Sequence, residues 1–144
     1  MLLKTVGIVT SSLLLLSAQA LATPQPIIEE LLTSNRTLGG RVVAYPEGTP
    51  EMRVYRFTIP VGAEIPLHIH PSPVVVIVEQ GRLSNVRIID GDEVSDTIEL
   101  GEGFLEGHPE EPHYVINRGS IPSVSSVTFA SVVGMPNQIS VKLD

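Results

Sequence analysis

His68 and His70 stand two residues apart in the stretch Gly62–Gly81, GAEIPLHIHPSPVVVIVEQG, just ahead of a run of β-branched residues. Side chains of an extended strand alternate between faces, so an H-x-H pair presents both imidazoles on one side. Neutral imidazole is a common nitrogen ligand for Zn, Fe, Cu and Ni. Two on one face make half of a metal site, and a third from a facing strand would complete one side of a coordination sphere. His113, in PHYVIN and followed by Asn117, is the candidate for that third place. A lone histidine is more often a surface or core residue than a ligand, but a pair in a glycine-bounded frame with another histidine downstream reverses that balance. His108, in GHPEEPH, lies in a proline-rich acidic loop and is read as standing outside the ligand set. Its neighbours Glu110 and Glu111 are expected to keep the mouth of the site negative.

These side chains need strands to carry them, and the sequence supplies many short ones. Met52 to Ile59 alternates, with Val54, Arg56 and Thr58 on one face and Tyr55, Phe57 and Ile59 on the other. Val74 to Val78 is a continuous apolar run, as expected of a strand buried on both faces or lining a barrel. Leu83–Ile89 and Glu93–Leu100 flank Asp90-Gly91-Asp92, a strong hairpin signal and a better account of those aspartates than a calcium loop. Arg41–Ala44, Tyr114–Ile116, Val124–Val133 and Ile139–Leu143 add further short strands, with Leu105–Glu111 leading into the second of them and hairpins expected at several junctions. Ile27 to Leu32 reads as one or two helical turns or as an edge strand. Eight or more strands separated by Gly/Pro turns predict an all-β fold, an antiparallel two-sheet barrel.

Composition narrows the class. The chain has 144 residues, no cysteine and a formal net charge of −7 at pH 7. Its length fits one domain. Without cysteine, stability rests on no disulfide, and any metal is held through nitrogen and oxygen. The acidic balance leaves no basic patch for nucleic acid. At the N-terminus, Lys4, an apolar stretch from Val6 to Leu16 and small residues at Ala18, Ala20 and Ala22 have the layout of a secretory signal. The expected organisation is a cleaved signal peptide over 1–22, an N-terminal arm over 23–40 and a β-barrel domain over 41–144. A periplasmic or secreted protein with no stable membrane anchor after cleavage follows.

The Gly62–Gly81 stretch resembles the first motif of the cupin family, G-x5-H-x-H-x3,4-E-x6-G, through Gly62, His68, His70 and Gly81. The second motif, G-x5-P-x-G-x2-H-x3-N, is met at His113 and Asn117, with His108 in its proline position and Glu110 in its inner glycine position. Gly101 or Gly103 supplies its opening glycine with a one-residue adjustment. The resemblance covers roughly Gly40 to Val133. It implies a double-stranded β-helix, or jelly-roll barrel, and a divalent transition metal (Fe, Mn, Ni, Zn or Cu) on His68, His70 and His113. The family's glutamate ligand would fall at residue 74 or 75, and both are valine.

Three outcomes compete for that gap. The centre could keep three histidines, completed by water or substrate. A carboxylate could come from elsewhere, with Glu106 the first candidate and Glu79 the second; Glu79 alternates away from Val74, Val76 and Val78. Or the metal could be lost and the barrel hold an apolar ligand among the valines, Phe57 and Phe104. Cupins include dioxygenases, isomerases, decarboxylases and binding modules, so the resemblance implies a small-molecule partner without fixing a reaction. The leading expectation is a metal-dependent, oxygenase-like enzyme, and the alternative is a non-catalytic periplasmic binding or sensing module. A homodimer is expected by family analogy alone.

Overall fold

The computed structural model describes residues 23–142; the expected signal peptide over 1–22 and the last two residues lie outside the described residues. Among the described residues nine strands form: β1 (Pro50–Ile59), β2 (Glu64–Ile69), β3 (Val74–Gln80), β4 (Leu83–Ile89), β5 (Asp92–Ile98), β6 (Gly103–Glu106), β7 (His113–Ile116), β8 (Ser123–Val132) and β9 (Ile139–Ser140). They build a four-stranded sheet ordered β1-β8-β3-β6 and a five-stranded sheet ordered β5-β4-β7-β2-β9. All pairings are antiparallel. The chain changes sheet at every connection except β4–β5, which makes a jelly-roll barrel rather than a meander.

That one exception is the hairpin at Asp90-Gly91, whose φ values of 52° and 88° suit the two-residue turn that matches strand twist. The other expected hairpins are replaced by sheet-to-sheet crossings, because two inward faces, each apolar on alternate residues, bury more surface facing each other than one sheet can alone. Arg41–Ala44 is reduced to a single bridge between Arg36 and Val42. The β6 strand takes up Gly103 and Phe104 and ends at Glu106, where Gly107, at φ 110°, breaks the extended run. Ile27 to Leu32 is neither helix nor strand; Ile27 and Ile28 project into solvent, so no apolar face drives regular structure there.

The core lies between the sheets. Val74, Val76 and Val78 of β3 meet Val127 and Phe129 of β8, Phe104 of β6, Leu83 of β4 and Val115 of β7. Each such side chain contributes about 1.5–3 kcal/mol by leaving water. Alternation on β3 is cleaner than the unbroken apolar run implies: Val74, Val76 and Val78 are buried while Val75 and Ile77 are partly covered.

Asn117 fastens the base of this barrel. It is fully buried; its amide donates to the Ile59 and Ile121 carbonyls at 2.9 and 2.8 Å, and its side-chain oxygen accepts from the Gly119 N–H at 2.8 Å. Its backbone exchanges hydrogen bonds with Gly62 and Ala63, which ties the opening glycine of the first motif to the end of the second. Its role is therefore structural. Asn117→Ala should cost about 3 kcal/mol, from three lost hydrogen bonds of about 1 kcal/mol each. The change should appear in urea unfolding as a lower midpoint with an unaltered slope.

Candidate metal centre

The first motif bends where it must. Pro66 lacks an N–H and cannot complete the ladder, so the pairing of β2 with β7 shifts register between Ile65 and His68. This irregularity leaves the Pro66 carbonyl facing the ring two residues on, and His68 Nδ1 lies 2.6 Å from it. His68 stands directly opposite His113 in the β2–β7 pairing, on the same face. His70 follows just beyond β2, and its Nδ1 lies 2.7 Å from the Asn137 carbonyl. His113 Nδ1 lies 3.1 Å from the Glu111 carbonyl.

The three contacts fix the chemistry of the rings. A carbonyl only accepts, so in the neutral form of each ring Nδ1 must carry the proton, which leaves Nε2 as a bare lone pair. Those lone pairs converge: His68 Nε2 and His70 Nε2 are 3.2 Å apart, and ligand atoms of all three rings lie within 4.8 Å of one another. Two bare lone pairs at that distance cannot hydrogen-bond to each other. His113 Nε2 is buried without a hydrogen-bond partner. A cation between them reconciles the arrangement, and the donor set of three imidazoles suits a divalent transition metal.

Glu106 closes the cluster. Its two carboxylate oxygens lie 3.2 Å from His70 Nε2 and 3.2 Å from His113 Nε2, and the buried Asn85 amide donates to it at 2.5 Å. On β6 it faces Val74 of β3 in register, at one of the two valines that occupy the motif's glutamate position. Directly opposed residues share a face with Cβ atoms about 4.5–5.5 Å apart. The carboxylate has thus moved across one strand pair without leaving the site. Gly107 makes this approach feasible, since a Cβ there would fall 2.2 Å from the Ser72 carbonyl oxygen in the loop that follows His70. Glu79, by contrast, points outward to Arg56 at 3.1 Å.

Burial is nearly complete, with exposures of 3% for His68, 4% for His70 and His113, and 7% for Glu106. Burial together with the neighbouring His113 and His70 charges lowers the His68 pKa to about 4. For Glu106 burial works against ionisation, but when the facing rings are protonated the charge of His113 and the Nε2–H groups of His113 and His70 outweigh it and hold the carboxyl well below its usual range. His113 is raised, because Glu106 favours its charged form more than burial opposes it.

His108 stays outside the cluster, accepting from the Glu110 N–H at 3.2 Å. The expected negative mouth is corrected: Glu110 pairs with Arg41 at 2.8 Å, and Glu111 is buried, 4.0 Å from the buried Arg87 guanidinium. Asn85 and the Arg53–Asn137 contact escaped the sequence reading. Asn85 was detectable as a polar residue between Leu83 and Arg87 on one face of a buried strand. Arg53 was not, because its Nη1 reaches the Asn137 side chain, at 2.7 Å, from a strand 84 residues earlier.

No family model matches the sequence, and no curated protein does. Solved structures do. An oxalate oxidase bound to glycolate aligns at TM-score 0.53 and 23% identity over 62% of this chain and 46% of that one. The DMSP lyase DddQ from Ruegeria pomeroyi aligns at 0.52 and 16%, over 62% and 43%. The polyketide cyclase RemF from Streptomyces resistomycificus aligns at 0.54 and 18%, over 73% and 70%. All are cupin-fold proteins. The chain has the cupin fold. It spans under half the length of the oxalate oxidase and the lyase, so the likeness is one of fold over a single barrel. In this cupin barrel a small cavity lies against His68, His70 and Glu106.

Proposed function

We propose that this cupin is an exported protein, its signal segment 1–22 removed and its barrel carried on residues 41–144, that binds one divalent transition metal ion through His68, His70, His113 and Glu106. It uses that ion on a small organic molecule. The observation that carries this reading is the set of three bare Nε2 atoms aimed at one point, each ring locked through Nδ1 to a backbone carbonyl. Such locking orients metal ligands and strengthens their basicity. The Mn(II) centres of Bacillus subtilis oxalate decarboxylase, which aligns at TM-score 0.53 and 22% identity, support a metal in this position. When bound, the ion supplies Lewis acidity or redox chemistry to an oxygen donor. The chain's own part is to orient the ligands, hold the Glu106 carboxylate ionised and exclude water.

Elemental analysis of natively expressed protein tests the reading, with about one equivalent of transition metal expected. Protein without metal sinks it. Oxygen consumption against phenolic and dicarbonyl compounds then separates an oxygenase from a binding module. The second reading has its own support, since among the described residues Glu106 is the one carboxylate lining the cavity and no nucleophile beyond a serine hydroxyl accompanies it.

Two further outcomes follow. Arg53 holds the C-terminal segment through the Met135 carbonyl and Asn137 side chain, both at 2.7 Å, and Asn137 in turn orients His70. Arg53→Met should weaken metal binding by about 10–100-fold, measured by chelator competition, as expected for the loss of an outer support. Acid should release the metal as well. Metal binding needs neutral imidazole, and below the raised pKa of His113 the ion must displace a proton, so apparent affinity should fall about tenfold per pH unit there. His68, held at about 4, adds a second proton only at much lower pH.

A further inference from the structure

The proposed ligands come from two sheets. His68 on β2, His70 just beyond it and His113 on β7 belong to the five-stranded sheet, whereas Glu106 on β6 belongs to the four-stranded one. A side chain that holds Glu106 against the histidines must therefore reach across the barrel. Asn85 does so from β4, in the sheet of the histidines. It stands opposite Val115, two residues beyond His113 and on the same face of β7. Its Nδ2 donates to Glu106 Oε1 at 2.5 Å.

The carboxylate has little else to hold it. With the three rings neutral, their Nε2 atoms donate nothing, so among the described residues the Asn85 amide is the one hydrogen-bond donor to Glu106. A buried ionised carboxylate needs a donor. An uncharged one leaves the negative charge of Glu106 to the metal ion, whereas a cation would compete with the ion for it. Arg87 is the cation two residues further along the same face of β4, and it is turned to Asp96, with Nε and Nη2 at 3.2 and 2.8 Å from Oδ2.

The other end of the same amide speaks against a role in folding alone. Asn85 is 1% exposed, and its Oδ1 is buried without a hydrogen-bond partner. An orphaned buried acceptor is destabilising. For the fold, an apolar side chain such as that of Leu83, two residues earlier on this face, would serve without the orphan.

Resting on the proposed metal centre, we infer that Asn85 is a positioning residue, which spans the two sheets to hold the Glu106 carboxylate in the orientation the metal ion requires. The amide is kept for its donor although its own oxygen goes unpartnered. It acts through Glu106 and touches the ion nowhere.

The test compares wild type, Asn85→Ala, Glu106→Ala and the double variant of the full chain, with cobalt(II) as the ion because its visible absorption reports coordination geometry. Chelator competition should show binding about 10–100-fold weaker in Asn85→Ala than in wild type, the range for the loss of an outer support. The spectrum at saturating cobalt should shift as well, which a side chain with a purely structural role would not cause. In the Glu106→Ala background, removing the amide should change affinity by less than about twofold and leave the spectrum unaltered, because the group it positions is gone. Asn85→Leu keeps the branched shape without the donor and should weaken binding as Asn85→Ala does; it stands in should the smaller side chain leave the barrel unfolded. Wild-type affinity and spectrum in both single Asn85 variants overturn the inference. An equal loss with and without Glu106 overturns it too, since Asn85 would then act on the ion directly or on the fold as a whole. If wild type takes up no metal, the centre fails and this inference with it; uptake by wild type with no effect of Asn85 sinks the inference alone.

Discussion

His70→Ala abolishes metal uptake: elemental analysis should fall from about one equivalent to a trace, and chelator should no longer alter the melting temperature. The effect is large for two reasons. The ring contributes one of three converging Nε2 atoms, and its Nδ1 contact with the Asn137 carbonyl joins the site to the C-terminal segment. In the wild-type protein, a metal at 100 times its Kd stabilises the fold by about 2.7 kcal/mol, so adding chelator should lower the melting temperature by several degrees. In His70→Ala both curves should coincide. A variant that keeps its metal and its chelator response would remove His70 from the centre.

Much of this was legible in the sequence, and the failures have physical causes. The H-x-H pair was readable because strand alternation is local, and His113 because it shares a motif with Asn117. The strand count was readable because Gly and Pro punctuate it. Which strands pair was not: the crossings between sheets are decided by burial across the barrel, and so only the Asp90-Gly91 hairpin announced itself locally. Arg41–Ala44 failed as a strand because no neighbouring strand extends its single bridge. Glu111 failed as a mouth residue because its partner, Arg87, lies on a strand that the loop meets only in three dimensions. Glu106 was reachable as a candidate but not decidable, since its value depends on facing Val74 across a strand pair.

That facing relation yields the second large effect. Glu106→Ala should weaken metal binding by at least about 100-fold, beyond the range of a lost outer support. It also leaves the buried Asn85 amide without its acceptor, at a cost of about 1–3 kcal/mol in stability. Adding Val74→Glu places a carboxylate on the opposed position of β3, with its Cβ about 4.5–5.5 Å from the old one and on the same inward face. The double variant should therefore regain most of the lost affinity, although Asn85 is positioned for the β6 side and part of the stability loss should remain. Chelator competition on wild type, Glu106→Ala and Glu106→Ala/Val74→Glu measures all three. Unchanged affinity in Glu106→Ala would make the carboxylate a spectator. Loss without recovery in the double variant would show that the centre depends on the strand from which the carboxylate comes as well as on its charge. Recovery would mean that the missing motif glutamate is a displaced one, carried by the neighbouring strand because two opposed positions on a sheet reach the same point in the barrel.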